Sequence, residues 1–110
     1  MIENIILNYL SKKLEVPVYM EEQKEKEKSY VVIEKLGSAR VDRINRASFA
    51  VQSYAKSMEE VAMLNEKVVD AMLKIIETED IGSVKLDSDY NFTDTQTKRY
   101  RYQAVFDLYY

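Results

Sequence analysis

Asp87, Asp89 and Asp94 lie close together in the stretch KLDSDYNFTDT, and Arg99 and Arg101 follow among tyrosines in KRYRYQAVFDLYY. Two chemistries are available to such residues. Carboxylates two apart on a strand share a face and offer the oxygen ligands that Mg²⁺ takes. Arginines interleaved with aromatic rings are the parts of a platform for single-stranded nucleic acid, where bases stack on rings beside cations that follow the phosphates. The carboxylate reading lacks supporting parts. No Gly and no closing Glu stand at EF-hand positions, and two glycines in 110 residues leave no phosphate-cradling loop. With no His and no Cys, the usual general base, the commonest transition-metal ligand, thiolate sites and disulfides are all excluded. The aspartates therefore read as a solvated face. No catalytic residue, metal or cofactor is expected, and the chain is not expected to be an enzyme.

The nucleic-acid reading depends on which way the side chains point. Taken as a strand, the closing run puts Tyr100, Tyr102, Ala104, Phe106, Leu108 and Tyr110 on one face. Arg99, Arg101, Gln103, Val105, Asp107 and Tyr109 fall on the other. Rings and cations then point opposite ways, which favours a core face backed by a polar face. A net charge of −3 and a pI near 5.1 also argue against a general nucleic-acid binder, because phosphate neutralisation needs a basic excess or a clear basic face. A module using Tyr100, Tyr102, Arg99 and Arg101 remains the alternative.

The elements that must position these residues follow from hydrophobic spacing. Ile2, Ile5, Ile6, Tyr9, Leu10 and Leu14 predict an amphipathic helix over 2–14, ending before Val16-Pro17. PVYM (17–20) reads as a short edge strand and the charge run EEQKEKEKS (21–29) that follows as a mobile hairpin loop. YVVIEKL (30–36) is a strand ending in a turn at Gly37-Ser38, and 43–55 is a second strand antiparallel to it. Ser57 and Glu60 form a capping box for a helix over 58–77, with Met58, Val61, Leu64, Val68, Ala71, Met72, Ile75 and Ile76 as its apolar stripe. A strand follows, with Val84, Leu86 and Tyr90 on one side and Lys85, Asp87 and Asp89 on the other; TDTQT then turns the chain into the last strand. The expected architecture is a single α+β domain over 1–110, order α-β-β-β-α-β-β, with an antiparallel sheet and both helices on one face. No stretch approaches the ~20 apolar residues of a membrane span, and the N-terminus lacks a secretory signal, so a soluble cytoplasmic protein is expected.

Charge and strand length point towards self-association. All five arginines fall in two windows, Arg40, Arg43, Arg46 and Arg99, Arg101, whereas the eleven lysines are spread widely. Between residues 77 and 94, six acidic residues face one lysine. Arg suits protein interfaces because its planar fork pairs with carboxylates and is weakly hydrated. A chain with an acidic edge and Arg-rich windows can pair head to tail with copies of itself, and such contacts close into rings when the rotation allows. Salt bridges within one subunit explain the charges equally well. Thirteen extended residues (43–55) reach about 43 Å, whereas a compact domain of this length is only ~34 Å across. These strands must bend or overhang.

The segments FAVQSYAKSMEEVAMLNEKVVDAM and KLDSDYNFTDTQTKRYRYQAVFDLYY resemble a family of small tail-terminator, tail-completion or minor structural proteins from tailed phages and prophages of Gram-positive bacteria. VPVYME and YVVIEKLGSAR match more loosely, and the run 21–28 does not match. The resemblance implies a tail-terminator-like fold and a hexameric ring that caps the tail tube, stops its polymerisation and presents a surface to the head connector. It also implies a place in the tail or neck of the virion, in the host cytoplasm during assembly. It offers no catalytic residues. A neck or head-closure protein is the alternative within the same class. The expected contact residues, with a sister subunit or the tail-tube protein, are Arg40, Arg43, Arg46, Asp87, Asp89, Asp94, Arg99 and Arg101.

Overall fold

A computed structural model describes residues 1–24 and 28–110. Helix α1 spans Ile2–Lys13 and buries Ile2, Ile6, Tyr9 and Leu10. Glu3 in its first turn and Lys12 and Lys13 in its last complement the helix dipole. Helix α2, Met58–Leu73, starts at the expected cap: the Ser57 side chain accepts a hydrogen bond from the Glu60 N–H at 3.2 Å. It buries Val61, Leu64, Asn65, Val68 and Met72. The expected helix to residue 77 instead tightens after Leu73 into a 3₁₀ turn, Ile75–Glu77. That change of phase keeps Ile75 buried and turns Ile76 outward.

Five strands follow the expected element order: β1 (Val18–Tyr19), β2 (Tyr30–Val41), β3 (Ile44–Ala55), β4 (Ser83–Asn91) and β5 (Tyr100–Tyr109). They form one sheet in the order β1-β2-β3-β5-β4. The fold is α+β with two helices, as the periodicity predicts. The sheet, however, is mixed and not wholly antiparallel. β1 runs parallel to β2, with Val18 opposite Val31 and the Val31 N–H donating to the Pro17 carbonyl at 2.9 Å. A parallel pair needs a crossover of about a dozen residues, so the run after β1 cannot be a tight hairpin. Residues 25–27 of that run lie outside the described residues.

The first hairpin also turns later than expected. β2 passes through Gly37-Ser38 with only a shift of register between Lys35 and Gly37, and the turn falls at Asp42 and Arg43, both with positive φ (50° and 68°). Two consecutive left-handed residues are the signature of a tight hairpin turn, usually written Asn-Gly or Asp-Gly. With Arg at the second position, composition did not reveal it. Gly37 has no positive φ, and a side chain there would meet open space. The long strands make a molecule of 45 × 25 × 21 Å in which every residue from 34 to 44 is exposed. β2 is therefore exposed along the edge of the sheet while β3 beside it stays mostly buried and paired with β5, and only the turn around Asp42 and Arg43 extends past the end of β5.

Alternation on β3 and β5 sets the core. Ala47, Phe49 and Val51 of β3 and Ala104, Phe106 and Leu108 of β5 are fully buried with Ile6, Leu10, Val68 and Met72 of the helices. Phe49 and Phe106 stand directly opposite each other. Phe106→Ala is expected to cost about 3–5 kcal/mol, a large part of the stability of a domain this size. Urea unfolding followed by circular dichroism measures it.

Candidate functional site

The sheet face away from the helices carries a connected polar surface. Cross-strand pairing aligns Ser48 with Asp107, Gln52 with Gln103 and Tyr90 with Gln103. Side chains join along these rows. The Ser48 hydroxyl donates to Asp107 Oδ1, Gln52 Nε2 donates to Gln103 Oε1 at 2.9 Å, and Gln103 Nε2 donates in turn to the Tyr90 hydroxyl. Arg46 lies 3.6 Å from Asp107 and above the Tyr109 ring at 6.0 Å.

One end of this face holds a separate aromatic cluster. Tyr30, Val32 and Tyr54 are buried together, the two rings stacked 4.6 Å apart with 12° between their planes, and Tyr19 packs edge-on against Tyr30. Arg99 closes over the cluster. Its guanidinium sits 5.2 Å from the Tyr54 ring, bonds the Gln23 carbonyl and the Tyr30 hydroxyl, and pairs with Glu22 at 3.1 Å. Only 12 % of the Arg99 side chain is exposed. Burial pushes the Tyr54 phenol above its ordinary range, against the opposing influence of Arg101.

The expected contact residues divide by what they already touch. Arg99 is enclosed by its own chain and leaves little surface for a neighbour. Arg101 donates from Nε to the Phe92 carbonyl at 2.6 Å and lies over the Phe92 ring at 4.2 Å. Asp94 accepts from the Gln96 and Thr97 N–H groups at 3.0 and 3.4 Å and so organises the turn before β5. The Thr97 hydroxyl and these backbone donors hold its carboxyl below the usual carboxylate range. Asp89 accepts from Asn65 Nδ2 of α2 at 2.6 Å. Arg40, Arg43 and Asp87 form no ion pair with the described residues.

Asp87 and Asp89 do not share a face as simple alternation predicts. The register shifts between Leu86 and Ser88, which places Asp89 opposite Ala104 on the helix side and Tyr90 opposite Gln103 on the open side. An extra residue in one strand reverses the parity of everything after it. Among the described residues no group of three carboxylates is placed to hold a metal ion. Tyr100 and Tyr102 lie on the opposite face from Arg101, Tyr102 being paired with Ser53 and Asn91 and Arg101 with Tyr54. The Asp107–Arg46–Ser48 and Gln52–Gln103–Tyr90 groupings were not readable beforehand, because parity gives the face of a residue but not its partner across the sheet.

The chain matches no protein-family model and no curated protein. Among the described residues no helix is long and apolar enough to cross a membrane.

Arg99→Lys is expected to destabilise the fold by about 1–3 kcal/mol, since an ammonium cannot satisfy the same set of partners. Arg40→Ala should stay within about 0.5 kcal/mol. Urea midpoints compare the two. Asp94 also carries a pH signature. A carboxyl held low in the folded state contributes stability above its unfolded pKa of about 3.9, and that contribution disappears as pH falls through the folded value. The stability difference between wild type and Asp94→Ala, present at pH 7, should therefore shrink in thermal unfolding near pH 3.

Proposed function

We propose that this chain is a non-enzymatic structural protein of a tailed-phage particle, closing the end of the tail tube as a hexameric ring of copies and offering a surface to the head connector. The observation that carries this reading is the placement of uncommitted charge. Arg40 and Arg43 stand on β2 and its turn at one side of the sheet, and Asp87 stands on the opposite edge strand, β4. Charges of opposite sign at opposite edges favour head-to-tail contact over pairing of like surfaces. The likeness of the 49–110 segments to tail-completion proteins supplies the biological setting. The sheet face not used by the helices, edged by Arg46, Tyr109, Tyr90 and Arg101, supplies area for the tube or connector.

The test is functional. Purified protein added to tails assembled without a terminator should give tails of uniform length that join heads. An unchanged length distribution with no head attachment overturns the reading.

A further inference from the structure

We propose that neighbouring copies join their sheets edge to edge, the outer edge of β2 pairing antiparallel with the outer edge of β4 in the next copy. The inference rests on the ring reading above and specifies the contact that builds it.

Both edges are open. β1 covers β2 only at Val31 and Val32, so residues 33–41 have no strand on their outer side among the described residues, and β4 ends the sheet on the other side. The two edges match in length, since β4 also has 9 residues. Exposed strand edges are templates for pairing with another chain.

Direction follows from topology. The β2/β3, β3/β5 and β5/β4 pairs are all antiparallel, so β2 and β4 of one subunit run in opposite directions. Rotation about an axis along the strands leaves strand direction unchanged. A copy brought alongside by that rotation therefore offers β4 antiparallel to β2, the more stable kind of ladder, and repetition closes a ring without an unused edge.

Charge selects this pairing over the alternatives. β2 with its turn carries Lys35, itself paired with Glu3, and Arg40 and Arg43 against Glu34 and Asp42, a net +1, whereas β4 carries Asp87 and Asp89 against Lys85, a net −1. Two β2 edges repel each other, as do two β4 edges; the unlike pair attracts. Arg40 is paired with Asn45 two residues from Ala47, and Asp89 with Ala104, so each of these charges lies on the helix side of its own edge.

Charge reversal tests the contact at two residues with no ion pair of their own. Arg40→Glu and Asp87→Lys are made singly, their folding checked by circular dichroism, and ring formation is read by light scattering in solution and by electron microscopy on terminator-free tails. Each single variant should weaken association by about tenfold or more. An equimolar mixture should regain it, because every contact in an alternating ring then joins unlike charges. Amide exchange at residues 33–41 and 83–91 should slow on assembly. Wild-type rings with unaffected single variants, a mixture without rescue, or unchanged exchange at these edges overturns the edge contact while leaving the ring reading in place. Absence of wild-type rings even on tails overturns both.

Discussion

The structure depends on how the pleat of β3 and β5 is used. These adjacent strands present Ala47, Phe49, Val51, Ala104, Phe106 and Leu108 to the helices, and every one is fully buried. Burial of side chains the size of Phe or Leu contributes roughly 1.5–3 kcal/mol each, so this face dominates the stabilisation. The price is a fixed parity. Once those positions point inward, Ser48, Gln52, Gln103 and Asp107 must point outward, and their hydrogen bonds to one another follow from register.

That dependence explains what the sequence disclosed. The parity of β5, the two amphipathic helices and the Ser57 cap are local properties, each readable within one segment, and each is present in the fold. The features that escaped are set by pairing between segments. The bulge near Asp87 reverses the face of Asp89, and the one near Leu36 carries β2 past a Gly-Ser pair that resembles a turn. The parallel placement of β1 depends on Pro17 and Val31 meeting across the chain. The enclosure of Arg99 required Glu22 and Gln23, over seventy residues away, to arrive over Tyr30 and Tyr54. Charge windows in a sequence therefore mix cations of different duties: Arg99 serves the fold, whereas Arg40 and Arg43 remain uncommitted.

The exposed outer stretch of β2 gives the separation of duties a shape. The sheet face beneath the helices is mostly apolar; β2 from residue 34 onward is exposed and held chiefly by the β2–β3 ladder. Burial and free charge thus fall on different parts of the same sheet. A change at the outer edge of β2 can alter surface charge while leaving the helical layer intact.

The Asn65–Asp89 hydrogen bond breaks this separation at the opposite edge. Asn65 is 3 % exposed, and its amide relies on the Asp89 carboxylate. Replacing Asp89 by an apolar residue strands a buried donor, at a cost of about 1–3 kcal/mol. The same carboxylate anchors a helix and contributes to the outer charge of β4. Selection for a different charge at that position would consequently meet resistance from within the molecule, making Asp87 the more freely adjustable of the two neighbours.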